Sequence, residues 1–254
     1  MKYNTKPSPG TLLLAAAALV SALGMAKPLQ AQESQSGWDF RGFFYLWGAS
    51  IGGETTQGQS IDVSFGDIVE NLDFGIMGSL QARRNRVAVF GDAIYLAISD
   101  GGNALVGPGI PASADVEVEG FVFTTGVGYD MMSAEKELLN GFGGLRYVDL
   151  STDVNLGVPG GSIRLGDGLS NLDAVVGLRG AYDLSDRWEL LYYADIGAGD
   201  SDLTWQAAVT FDYEINSRWS ASFGYRHLAW DLGNADTISD LSFSGPFVGA
   251  KYNF

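Results

Sequence analysis

No cysteine occurs among the 254 residues. Its absence excludes a disulfide framework and a lipid-modified cysteine anchor. Histidine is nearly absent too, with His227 standing alone. Charged residues make up 18%, below the roughly 25% usual in soluble domains. Positive charge is the scarcer kind: 15 Lys and Arg face 30 Asp and Glu, for a formal charge of −15. Such a chain repels nucleic acid and anionic surfaces at long range. Beyond residue 31 there is no long apolar run, which excludes a helical membrane span of about 20 residues. No phosphate loop, zinc spacing or nucleotide fingerprint occurs. No metal site or cofactor is therefore expected.

The N-terminus carries one short apolar run. Lys2 and Lys6 precede Leu12 to Val20, and small residues close the segment at Leu29-Gln30-Ala31. Basic start, apolar centre and small-residue exit are the order of a secretory signal peptide. Residues 1–31 are assigned to it and residues 32–254 to one domain. Cleavage would remove Lys2, Lys6 and Lys27, leaving 12 basic and 30 acidic groups, a net of −18 over 223 residues.

Alternation fills the rest of the chain. Leu203, Trp205, Ala207, Val209, Phe211, Tyr213 and Ile215 share one parity; Thr204, Gln206, Thr210, Asp212 and Glu214 share the other. Period two is the signature of a strand with one apolar and one polar face. Runs of this kind predict about ten strands, with eight or twelve as alternatives. They cover roughly 38–51, 72–84, 87–99, 116–131, 138–154, 171–184, 188–199, 203–215, 219–231 and 240–254. Short turns near residues 84–85, 133–136, 185–186 and 216–217 alternate with long Gly- and Asp-rich loops at 52–71, 100–115, 155–170 and 232–239. The short connection at 200–202 breaks that pattern. Short turns at one end and long loops at the other mark a closed antiparallel transmembrane β-barrel.

Alternation alone leaves open which face points outward. Two observations, besides the export signal, decide for apolar-out. Aromatic residues cluster beside the short turns on the apolar parity: Tyr182, Trp188, Tyr213, Trp219 and Tyr252. A membrane barrel carries its aromatic girdle there. The polar parity instead holds glycines and isolated charges such as Gly177, Arg179, Gly224 and Arg226, poor material for a packed soluble core. One device occurs twice: SDRW at Ser185–Trp188 and NSRW at Asn216–Trp219, each a polar turn releasing a strand.

The chain ends VGAKYNF, with Phe254 last and Tyr252, Ala250 and Val248 on its parity. This resembles the C-terminal signature by which outer-membrane proteins are recognised for insertion. Together with stretches such as NLDFGIMGSLQARRNRVAVFGDAIYL, LLYYADIGAGDSDLTWQ and GYRHLAWDL, it makes the mature chain similar to the OmpA/OmpW-like group of small outer-membrane β-barrels, in a mostly uncharacterised branch. The resemblance implies a bacterial outer-membrane location with periplasmic termini. Its implied partners are membrane lipids, lipopolysaccharide, periplasmic chaperones and the barrel-assembly machinery, and Phe254 is implied as the insertion signal.

Four groups could carry chemistry. The inward parity includes Arg41, Asp92, Asp130, Arg146, Arg179, Asp183, Asp195, Gln206, Asp212, Arg226 and Lys251. Of these, Arg146, Arg179, Asp195, Gln206 and Arg226 form the expected lumen cluster, either a salt-bridged plug or a narrow path for small solutes. His227 takes the lipid-facing parity, where a symmetric last hairpin sets it opposite Ser244 and Asp231 opposite Asp240. Asp67-x-x-Glu70 reads as a helix start inside the first long loop. Asp100, Asp115, Asp153, Asp167, Asp200, Asp202 and Asp236 acidify the long loops without the spacing of a calcium loop, leaving weak Mg²⁺ or Ca²⁺ bridging to lipopolysaccharide phosphates as their only metal reading. The expected role is non-enzymatic, structural or passing small solutes. Binding through the long loops is second and outer-leaflet lipid hydrolysis third.

The face assignment has a direct test. Arginine at Val209 should weaken the folded barrel by about 2–4 kcal/mol if that position sits near the bilayer midplane. Urea unfolding in phospholipid vesicles measures it, and an unchanged midpoint would contradict the lipid-facing assignment.

Overall fold

The computed structural model describes residues 37–58, 60–70, 72–106, 110–158, 161–233 and 238–254; the signal segment lies outside them. Where polar and apolar residues alternate, the chain is extended. In order it forms β1 (Asp39–Trp47), β2 (Ser50–Thr55), β3 (Ser60–Val63), α1 (Phe65–Glu70), β4 (Leu72–Arg84), β5 (Val87–Val106), β6 (Ile110–Ser133), β7 (Glu137–Val158), β8 (Gly161–Asp183), β9 (Trp188–Gly199), β10 (Leu203–Glu214), β11 (Trp219–Asp231) and β12 (Ile238–Asn253). Ten of these, β1 and β4 to β12, pair antiparallel with their neighbours in sequence order. The ladder from Arg41–Asn253 to Trp47–Phe247 joins first strand to last and closes the barrel. The hairpin β2–β3 extends β12 above that closure, from Ser244–Ser50 to Ile238–Thr55.

The faces divide as the parity requires. Leu203, Trp205, Val209 and Ile215 are exposed, as are Val127, Val176, Phe223 and Val248, while Arg146, Asp195, Gln206, Asp212 and Arg226 are buried. Apolar outside and charge inside is the inverse of a soluble barrel and defines a transmembrane one. The girdle residues share the outer face. Trp188 packs on Tyr213 with centroids 5.0 Å apart, and Trp219 on Tyr252 at 4.7 Å. Phe254 meets Tyr252 edge-on at 4.9 Å.

The repeated turns are equivalent at the backbone. In the first, the Leu184 and Ser185 amides donate to the Trp188 carbonyl; in the second, Ile215 and Asn216 donate to that of Trp219. Asn216 Oδ1 accepts from the amides of Arg218 and Trp219 at 2.9 and 3.0 Å, which locks the second turn. Both turns release a tryptophan onto the girdle, where an indole buries its ring and keeps its N–H near water.

The long-loop side departs from expectation. Residues 100–106, 110–115, 155–158 and 161–170 are not loops but continuations of β5 to β8, paired up to Val106–Ile110 and Val158–Gly161. These four strands are 20 to 24 residues long, against 12 to 16 for β9 to β12. A bilayer crossing needs about 9–11. The sequence shows Gly and Asp there and reads as loop because those residues are depleted in strands; the cross-strand ladder overrides that preference. The span expected at 38–51 breaks after Trp47, and 52–71 holds β2, β3 and α1 rather than an unstructured loop. The helix is capped three residues earlier than Asp67-x-x-Glu70 suggests. Ser64 Oγ accepts from the Asp67 amide at 3.3 Å, and Asp67 Oδ2 accepts from the Ser64 amide at 3.2 Å. That reciprocal pair is a capping box, with Asp67 as its acid rather than its start.

Topology follows from which end is accessible. Both chain ends described lie with the short turns, since Asp39 pairs with Arg83 and Arg41 with Asn253. Cysteine at Ser185 or at Ser217, both exposed, should escape a bulky membrane-impermeant maleimide added to intact cells, whereas cysteine at exposed Asp202 should react. Its neighbour Ser201 is buried against Asp173 and is unsuitable. Labelling of either turn from outside would reverse the topology.

Candidate functional site

The lumen is filled by side chains in layers, and strand register sets their heights. At the short-turn end a vestibule of about 460 Å³ is lined by charge of both signs, including Arg41, Asp183, Glu214 and Lys251. Lys251 forms its floor, 3.1 Å from Glu189 Oε2 and ion-paired with buried Asp212. Above it Arg83 pairs with Asp130. Asp130 accepts from Asn140 Nδ2 at 2.8 Å, and Asn140 Oδ1 accepts from Arg179 Nε at 3.1 Å. The Arg179 guanidinium lies 4.2 Å above the Phe90 ring, which leads into an apolar layer of Phe90, Phe142, Val175 and Tyr193.

The central layer holds two arginines and two carboxylates. Arg146, wholly buried, pairs with Asp195 and donates to Thr204 Oγ1 at 3.0 Å and to Thr124 Oγ1 at 3.3 Å. Arg226 donates to Asp92 Oδ1 at 2.9 Å, to the Tyr45 hydroxyl at 2.8 Å and to Gln206 Oε1 at 2.8 Å. Gln206 Oε1 also receives a longer bond from Arg146, 3.4 Å, so one amide links the two ion pairs. Tyr193 donates to Asp195 Oδ2 at 2.6 Å and Tyr45 to Asp92 Oδ2 at 2.9 Å. The layer is neutral and almost saturated with hydrogen bonds, the condition on which buried charge is tolerated. Arg226 also lies 5.1 Å over the Trp47 ring.

Toward the long strands the lumen turns apolar. Trp47, Ile94, Val122, Val148, Leu228, Trp230, Leu232, Leu241 and Phe247 form one buried cluster there. Glycines on the inward parity make room for the rings. A Cβ at Gly224 would lie 2.7 Å from Phe247 and 2.1 Å from the Val209 carbonyl; one at Gly249 would lie 2.7 Å from Phe43.

The five residues expected in one lumen cluster therefore divide. Arg146, Asp195, Gln206 and Arg226 meet; Arg179 belongs to the lower layer with Asn140 and Phe90. Sequence reasoning missed Tyr45, Asn140, Tyr193, Thr204 and the apolar plug. The plug has a signal in the sequence: Tyr45, Trp47, Leu228 and Trp230 share the inward parity.

On the outer face, register sets His227 opposite Ser244 and Asp231 opposite Asp240. His227 Nδ1 lies 2.5 Å from Ser244 Oγ, and its ring stacks at 4.4 Å on Trp205. Among the described residues no carboxylate contacts the imidazole. Of the acidic long-connection residues, Asp200 Oδ2 accepts from the Leu172 amide at 2.9 Å, while Asp202 is exposed. The side chains of Asp100, Asp115, Asp167 and Asp236 lie outside the described residues. Among those described, no three His, Asp or Glu converge on a metal-sized site.

Fold and lumen define a ten-stranded transmembrane β-barrel of the outer-membrane type, with an added two-stranded hairpin. No protein-family model and no curated protein matches the sequence. Among solved structures, the outer-membrane protease OmpT of Escherichia coli is similar at 14% identity and a TM-score of 0.50, covering 85% of this chain and 97% of its own. The translocator domain of the autotransporter NalP from Neisseria meningitidis shares 16% identity at a TM-score of 0.43, covering 97% and 99%. The attachment invasion locus protein Ail of Yersinia pestis shares 13% at 0.39, covering 86% and 99%.

Removing one acid from the central layer should expose its cost. Asp195→Ala leaves the Arg146 guanidinium buried without its carboxylate and should destabilise the barrel by about 3–5 kcal/mol. The unfolding midpoint of the heat-modifiable folded form reports this, and an unaltered midpoint would show that the layer does not hold the barrel.

Proposed function

We propose that this chain is a non-enzymatic barrel of the bacterial outer membrane, with a closed lumen and termini in the periplasm, acting as a structural protein of the envelope. The observation that carries the reading is the layered packing of the lumen. An ionic layer of Arg146, Asp195, Gln206, Arg226 and Asp92 lies beneath an apolar plug containing Trp47, Leu228 and Trp230. A path for small solutes, the other role left open by the sequence, would need hydrated width at this level. The outer-leaflet hydrolase reading is disfavoured at His227, which has Ser244 and Trp205 for neighbours and, among the described residues, no carboxylate partner. Membrane lipids, lipopolysaccharide, periplasmic chaperones and the barrel-assembly machinery are the partners this reading requires.

A second reading is favoured by one observation, the continuation of β5 to β8 far beyond the length of a crossing. Such a sheet offers a rigid surface outside the cell, suited to binding a partner. This contact surface is a β-wall where the sequence predicts long loops at 100–115 and 155–170.

Reconstitution into planar bilayers tests the closed lumen. The wild-type protein should give no stepwise openings, whereas replacing Trp47 and Trp230 together by alanine should give small, discrete ones. Stable wild-type conductance would overturn the structural reading in favour of solute passage.

A further inference from the structure

Glycines stand at several outward positions, among them Gly42, Gly78, Gly91 and Gly180, but only β7 has two in succession, Gly141 and Gly143. The Met131 side chain lies over Gly141, where a Cβ would come within 2.7 Å of its Sδ, whereas Gly143 is left bare. The result is an open apolar groove of about 590 Å³ between β6 and β8, with Val127, Tyr129 and Met131 on one side and Val176 and Leu178 on the other. Glycine in a strand gives up side-chain packing and conformational economy, so an unforced one needs a reason. At Gly144 the reason is internal, because a Cβ there would lie 2.1 Å from the Thr125 carbonyl. At Gly143 nothing internal requires it: a Cβ would meet only the Val175 carbonyl, at 4.0 Å.

The foot of the trough carries charge. Arg86, in the turn before β5, places its guanidinium 4.9 Å over the Tyr129 ring. Its Nε donates to the Asp130 carbonyl at 3.1 Å, which fixes the group at the short-turn boundary of the membrane. A planar guanidinium held at that depth matches a phosphate, and the groove it adjoins through the shared Tyr129 ring matches an acyl chain.

We propose that the groove over Gly143 and Arg86 form a binding site for one glycerophospholipid of the leaflet on the short-turn side, with an acyl chain over Gly143 against the Met131 side chain and its phosphate at Arg86. The site rests on the transmembrane reading of the barrel and not on the state of its lumen. The lipid is favoured over a second copy of the chain by charge. A two-fold axis along the membrane normal would bring the Arg86 of both copies to the same height in one groove, where like charges repel.

Native mass spectrometry of the full barrel, released from micelles doped with phosphatidylglycerol or with diacylglycerol of the same chains, tests the site. Wild type should retain one phosphatidylglycerol, and about tenfold less diacylglycerol, the worth of one charge-assisted contact. Gly143→Ile fills the trough without a backbone clash and should lower phosphatidylglycerol retention about tenfold with no loss of thermal stability. Arg86→Gln should abolish the preference for the phosphate-bearing lipid, and Val209→Ile, on β10 and outside the groove, should change neither. If Gly143→Ile fails to fold, the Arg86→Gln comparison decides alone. Equal retention by wild type and the trough or arginine variant would overturn the proposal. So would a wild-type dimer that Gly143→Ile converts to a monomer, which would assign the groove to a second copy.

Discussion

Hydrocarbon offers no hydrogen bonds to a peptide group, and this constraint governs the rest of the structure. Each unsatisfied backbone N–H or C=O costs several kcal/mol inside a bilayer, so a sheet that enters one must have no edge there. The β1–β12 ladder supplies the closure, and its register also sets the inside of the barrel. Phe43, Tyr45 and Trp47 are brought beside Gly249 and Phe247 on the inward face, while Phe44, Leu46 and Val248 turn outward. A slip of one residue would exchange the two sets and send Lys251 into the acyl chains.

Closure creates a second problem, because a barrel of this size encloses a volume too narrow to be a wide water-filled channel and too large to leave empty. The chain fills it in two ways. Arginines and carboxylates meet inside it: Arg226 of β11 reaches across to Asp92 of β5, and Arg146 of β7 reaches past β8 to Asp195 of β9 and to Thr204 of β10. These contacts join strands that are not neighbours in the sheet, something backbone ladders do not do. Above them the aromatic and aliphatic plug removes apolar surface from water, and inward glycines such as Gly224 let the rings lie against the backbone.

Location of the strands, their two faces and the girdle were legible in the sequence because each depends on nearest neighbours along the chain. The spans 72–84, 188–199 and 219–231 coincide with β4, β9 and β11. The equivalence of the two Arg-Trp turns was legible for the same reason. What was not legible depends on partners distant in sequence. Gly- and Asp-rich residues 100–106 and 161–170 are extended because adjacent strands pair with them, a fact their composition does not carry. The lumen shows the same division. Parity puts Arg179 and Arg146 on one face, but which layer each joins depends on the stagger of strands around the barrel. Arg179 therefore falls beside Asn140 and Phe90 instead of Asp195. The apolar plug was missed for a different reason: inward Trp47, Leu228 and Trp230 stand at positions that strict polar-in alternation would fill with polar residues.

The filled lumen and the tall β-wall belong to one mechanical argument. Strands β5 to β8 run unbroken from the short turns to their distant ends, so a force on the projecting sheet is transmitted along them into the membrane segment. A hollow barrel would absorb that force by flattening, since its wall is one sheet thick. Here Arg226–Asp92 ties the wall across its interior, Arg146–Asp195 joins β7 to β9, and Gln206 of β10 links the two pairs. The opposite wall, β9 to β12, ends near the membrane and carries the tryptophan anchors Trp188 and Trp219 at its foot. One half of the barrel projects and the other half holds depth. The buried ionic layer joins them, because Arg146 of β7 pairs with Asp195 of β9 and Arg226 of β11 with Asp92 of β5.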